Sequence, residues 1–152
     1  NMTPVPRMWK NYKDRFELHV IGYEENISNL EKIYNLLMSH SIKNVEIVVT
    51  VSPIPLQTTY TQNDIVVANM YSKSVLRAAA DKWASMHENV HYYPSYEIVV
   101  CSDQDIIWEE DKRHLKGPMT QYIIEVFKKN YLKDYNKWMP RMKSLNEKLK
   151  DI

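Results

Sequence analysis

VEIVVTV, residues 45–51, is the stretch on which the fold turns. Apart from Glu46 every residue in it is β-branched. Such a run suits a strand in a parallel sheet covered on both faces. SPIPL, residues 52–56, ends it, because Pro53 and Pro55 cannot donate to a central ladder. A parallel partner needs a crossover, and the chain supplies one. Asn63 or Asp64 can cap a helix over roughly 64–87. Ile65, Ala68, Ser72, Leu76, Ala79, Trp83 and Met86 mark its packed face. Asn69, Lys73, Arg77 and Asp81 recur every four residues on another face. That stripe reads either as a solvated surface with an Arg77–Asp81 pair or as a functional row.

Upstream of the strand, SNLEKIYNLLMSH (28–40) has helical spacing, with Ser28 and Glu31 in capping-box register. RFELHVIG (15–22) alternates Phe16, Leu18 and Val20 with Glu17 and His19, which predicts a half-wet strand. Residues 1–14 read as an arm, with Asn1 before Met2 taken as a cloning scar. Downstream, VHYYP (90–94) predicts a short strand closed by Pro94. PSYEIVVC (94–101) fits either a continuing strand or a short helix. A loop over 102–116 follows, then a helix from Pro118 to about Leu132, with Met119, Tyr122, Ile123, Val126 and Phe127 sharing a face. The order of elements predicts one α/β layered domain over 15–132. Residues 133–152 form a further tail with helical character.

Composition removes several function classes. The chain has 152 residues, 44% of them apolar, and a formal charge of +1, so no global field points to nucleic acid or membrane. No apolar run is long enough to span a bilayer. Gly22 and Gly117 are the only glycines, so neither a P-loop nor a dinucleotide fingerprint can be built. His19, His40, His87, His91 and His114 show no metal-ligand spacing. Neither a cofactor nor a metal is expected. Cys101 is the only cysteine, which favours a reducing, cytoplasmic setting.

The chemistry concentrates in WEEDKRHLKGP, residues 108–118. Asp111 and His114 stand three apart in an irregular loop. An imidazole can act as a general base, and a carboxylate can hold its ring and stabilise the imidazolium. The spacing alone is weak evidence. The loop follows the last short element of an α/β pattern, where ligands of open sheets bind. Ser52, Ser95, Ser102 and Cys101 are the serines and cysteine to weigh as nucleophile; none lies in a G-x-S-x-G elbow.

TVSPIPL (50–56), ANMYSKSVLR (68–77), YYPSYEIV (92–99) and DKRH (111–114) together resemble the GSCFA family, in order and in approximate spacing. That family is similar to the SGNH hydrolases. The resemblance implies a flavodoxin-like, SGNH-type three-layer sandwich, here incomplete, with a short mainly parallel sheet and flanking helices. It implies His114 as base and Asp111 as its orienting acid. It makes Asn69, Ser72, Lys73, Tyr96, Glu97 and Arg113 candidate substrate contacts. The Gly-Ser-Cys-Phe-Ala motif that names the family, where the nucleophilic serine would lie, does not occur in the sequence. The chain is therefore expected to correspond to the family's C-terminal portion.

Three functions compete at this point. The first is a hydrolase or acyltransferase acting on an ester or acylated carbohydrate. The second is a non-catalytic interaction or assembly protein on the same scaffold. In both, the sheet edge left open is expected to be covered by a second copy or a partner chain. The third is surface binding through the tail. From Lys128 to Ile152 there are eight Lys/Arg and three Asp/Glu, interleaved with Tyr131, Tyr135 and Trp138. The simpler reading of that tail is an amphipathic helix docked on the body, without nucleic acid or membrane.

Overall fold

In a computed structural model, the described residues are 11, 13–15, 17–41 and 45–132. They divide into two compact units. The first comprises the described residues up to Val51 together with Pro55–Tyr92, and the second comprises Ser52–Ile54 with the described residues from Tyr93 onward.

In the first unit, strand β1 (Ile47–Val49) pairs in parallel with β2 (Val90–Tyr92), Ile47 opposite Val90 and Val49 opposite Tyr92. The expected parallel strand is therefore present, flanked by helices, in a mixed α/β arrangement. Helix α1 (Tyr23–His40) precedes β1, and helix α2 (Ile65–Met86) links the two strands. Asp64 caps α2, its carboxylate accepting from the Val66 amide at 2.8 Å. The buried apolar residues of this unit are Val51, Ala68, Ala79, Ala80, Trp83 and Val90. A polar network ties α1 to the start of the sheet. Tyr34 donates to Asn89 Oδ1, Asn89 Nδ2 donates to the Val45 carbonyl, and Tyr34 stacks on His87 at 3.7 Å.

Two expectations are corrected here, and one open reading is narrowed. Residues 17–22 form no strand; Leu18 and Val20 are exposed, and no described strand pairs with the segment. Alternation alone cannot hold a strand without a ladder partner. Helix α1 begins at Tyr23 rather than at Ser28, with Gly22 as N-cap and Glu24 and Glu25 in its first turn. Acidic residues there suit the positive end of the helix dipole, which moves the start five residues upstream of the capping-box pattern. On α2, the row Asn69, Lys73, Arg77, Asp81 is not uniformly solvated. The Arg77–Asp81 pair forms at 3.1 Å, but Lys73 is only 7% exposed.

The second unit holds helix α3 (Ser95–Val100), a single helical turn α4 (Gln104–Ile107) and helix α5 (Gly117–Tyr131), with Pro118 in the first turn of α5. PSYEIVVC is thus helical, not extended. Val99, Ile107 and Trp108 form the core of the unit, with Ile54, Leu115, Met119 and Ile123 packed against it. Tyr122, expected on the packed face of α5, is exposed. Tyr93 anchors that helix instead. Its hydroxyl donates to the Ile123 carbonyl at 2.5 Å, and its ring meets Phe127 and Tyr131 edge-on. Burial, helped by the neighbouring Tyr131 and Tyr122, raises the Tyr93 phenol above its ordinary pKa. Among the described residues no helix is long and apolar enough to cross a membrane. The tail 133–152 lies outside the described residues.

Candidate active site

The segment between α4 and α5 closes into a narrow hairpin. Trp108 and Leu115 form an antiparallel bridge, the Lys116 amide donates to the Ile107 carbonyl, and the Glu109 amide donates to the His114 carbonyl. Ile107 and Trp108 are buried, so the foot of this hairpin is fixed in the core of its unit. Trp108 Nε1 also donates to Gln104 Oε1 at 2.7 Å. Only the tip, residues 109–114, extends beyond that anchor. Within it the Lys112 amide donates to the Glu109 carbonyl, and Lys112 takes a positive φ of 53°. A side chain other than glycine pays to adopt that conformation, so the turn needs compensating contacts.

Asp111 supplies them. Its Oδ1 accepts from the backbone amides of both Arg113 and His114, each at 2.9 Å. Its Oδ2 faces His114 Nδ1 at 2.5 Å. The His114 amide, its ring and the Arg113 amide together hold the Asp111 carboxyl well below the usual carboxylate range. An ionised carboxylate can only accept, so the hydrogen between Asp111 and His114 resides on Nδ1. A neutral ring then carries a lone pair at Nε2. Among the described residues, nothing hydrogen-bonds to that nitrogen, and the His114 side chain is 66% exposed. The pair can therefore accept a proton from a hydroxyl brought to Nε2 and stabilise the imidazolium that results.

Arg113 lies in the same turn. Its Nε is buried without a partner among the described residues. Tyr96 and Glu97 are half-buried on α3, in the same unit. Asn69, Ser72 and Lys73 lie on α2 of the first unit. Asn69 Oδ1 accepts from the Leu56 amide at 3.0 Å and so fastens the loop after β1. Burial lowers the Lys73 ammonium below its ordinary pKa. None of the serine or cysteine candidates bonds to the His114 ring. Ser52 Oγ accepts from the Ile54 amide, Ser102 Oγ donates to the Ile98 carbonyl, Ser95 is buried and Cys101 is exposed.

Compared with known families, residues 1–127 match one, described as the GSCFA family. The chain belongs to the GSCFA family. The matched region takes in every candidate residue from Asn69 to His114 and ends inside α5. No curated protein and no solved structure matches this GSCFA chain significantly. Sequence reasoning found the Asp–His pair but missed the double amide grip on Asp111. The signal was available: an aspartate two residues before another loop residue is the usual head of an Asx turn. It also missed the burial of Lys73, for which the local pattern held no sign.

Proposed function

We propose that this GSCFA chain contributes the general base of an SGNH-like ester hydrolase or acyltransferase, with an ester or an acylated carbohydrate as substrate. The contact of Asp111 Oδ2 with His114 Nδ1, with Nε2 turned to no other residue, carries the reading. In the proposed reaction His114 Nε2 takes the proton of an attacking hydroxyl. Asp111 keeps the ring in the Nδ1–H tautomer and balances the positive charge. As the tetrahedral intermediate collapses, His114 returns that proton to the leaving alkoxide, and the acyl group stays on the attacking oxygen. Arg113, Tyr96 and Glu97, in the same unit as His114, remain candidates for holding the substrate; Asn69, Ser72 and Lys73 belong to the other unit.

The 152 residues contain no Gly-Ser-Cys-Phe-Ala stretch. The proposal therefore places the nucleophilic serine and its oxyanion donors on polypeptide outside this sequence. The same observation favours a second reading, a non-catalytic assembly protein on the GSCFA scaffold. Turnover of p-nitrophenyl esters separates them, measured on the chain alone and on the chain mixed with a polypeptide bearing the family's name-giving motif. A base role predicts activity in the mixture that His114→Ala lowers by about 10²-fold or more. Equal turnover with and without the imidazole contradicts it.

A further inference from the structure

A groove of about 660 Å³ opens within the first unit, and no residue of the Asp111–His114 turn is in its lining. One wall is aliphatic: Leu18, Val20 and Ile21 from the segment before α1, and Val75 and Leu76 from α2. Leu18 and Val20 are about half exposed and Leu76 is 40% exposed, so apolar surface of the lining residues stays accessible. The loop that Asn69 fastens also lines the groove and brings hydroxyls to it. Thr59 and Thr61 bond to each other at 2.9 Å, and their oxygens accept the amides of Thr61 and Asn63, which shapes the loop from within. Thr58, Tyr71 and Ser72 also line the groove, and among the described residues their hydroxyls make no hydrogen bond to the protein.

The charge pattern is the deciding feature. Among the described residues, no Asp, Glu, Lys or Arg lines the groove. His19, which also lines it, is engaged by Glu25 at 2.7 Å. An anionic or cationic ligand would leave water for a place whose described lining offers no counter-charge beyond His19, already paired with Glu25, a transfer that costs free energy. A purely aliphatic ligand would cover the Thr58, Tyr71 and Ser72 hydroxyls without offering them partners, which is also unfavourable. A fully polar ligand would leave the aliphatic wall wet.

We infer that this groove binds a neutral amphipathic small molecule, an aliphatic chain carrying an uncharged, hydroxyl-bearing head. The chain lies along Leu18, Val20 and Val75, and the head exchanges hydrogen bonds with Thr58, Tyr71 and Ser72. The inference rests on the groove alone and does not depend on the role of His114.

Octyl glucoside below its micelle-forming concentration is the probe, titrated into the full chain and followed by amide chemical shifts. Glucose and octanoate serve as the polar and the charged comparison. Saturable shifts are expected at residues 18–21, 56–61 and 68–76, with both comparison ligands weaker by about tenfold or more, the factor set by burying an unmatched group. Tyr71→Asp, at an exposed position, brings charge to the rim; Val75→Phe fills the wall without charge. Each variant is expected to weaken octyl glucoside binding by about tenfold or more. Octanoate binding as tightly as octyl glucoside overturns the inference. So do shifts centred elsewhere, no binding at all, or variants that fold normally and bind the probe unchanged.

Discussion

Asp111 has two duties in one side chain, and substitution separates them. Its Oδ1 shapes the turn through two amides, and its Oδ2 orients the ring of His114. Asparagine can retain the first by keeping its carbonyl toward the amides, but it brings no negative charge to the imidazole. Asp111→Asn is therefore expected to leave the hairpin intact and to lower any His114-dependent turnover by about 10²- to 10⁴-fold, the range seen when an orienting acid is lost. The carboxyl itself gives a second prediction. Because its folded-state pKa is depressed, the unfolded chain binds more protons at low pH, so this contact stabilises the fold above the ordinary carboxylate range and is lost as pH falls through the depressed value. A carbon-detected NMR titration is expected to place the Asp111 midpoint below that of an ordinary aspartate. In His114→Ala the midpoint should rise part of the way. The amides of residues 113 and 114 remain to hold the carboxylate, and only the ring contact is gone. A full return to the ordinary value would mean that the amides contribute nothing.

At the scale of elements, the turn is only as well placed as the hairpin beneath it. Ile107 is fully buried beside Val99 and Trp108, and its carbonyl takes the Lys116 amide. Ile107→Ala should cost about 2–5 kcal/mol by urea unfolding, the usual range for a truncated core aliphatic. The cap on α2 is a smaller effect. Asp64→Ala removes the acceptor for the Val66 amide and should cost about 1 kcal/mol. Both features were legible in part. Asp64 stood as one of two candidate caps, because Asp before a helical period has a mechanism that acts locally. Pro118 likewise marked the start of α5. Ser28 misled for the converse reason: its capping-box spacing is real, but the favourable acids Glu24 and Glu25 lie further upstream and the helix runs back to Tyr23. Local motifs report what a segment can do, while its neighbours decide what it does.

For the molecule as a whole, the β-branched run at 45–51 carried its message in part: Ile47–Val49 pairs in parallel with Val90–Tyr92, but those three residues of the run are half-buried rather than covered on both faces. The segment 17–22 did not become a strand, because strand formation is a property of a pair and no described partner is present. The burial of Lys73 was illegible for the same reason: the spacing of residues along α2 says which side chains share a face, not what covers it. The two-stranded sheet leaves β1 with one unpaired edge among the described residues. Large apolar side chains on α1 and α2, among them Leu36, Val66 and Met70, stay more than half exposed. Surface of that kind favours association. If a second copy covers that surface, sedimentation equilibrium at micromolar concentration is expected to give a mass above the 18.1 kDa of one chain. A concentration-independent monomer would leave only a different polypeptide as the partner.

The central claim is that Asp111 fixes the proton of His114 on Nδ1 and leaves Nε2 as the basic nitrogen. Long-range proton–nitrogen correlation on the His114 ring reads this directly. Neutral His114 is expected to be the Nδ1–H tautomer in the native chain and to lose that preference in Asp111→Asn. A ring protonated at Nε2, or a tautomer that ignores the substitution, would contradict it.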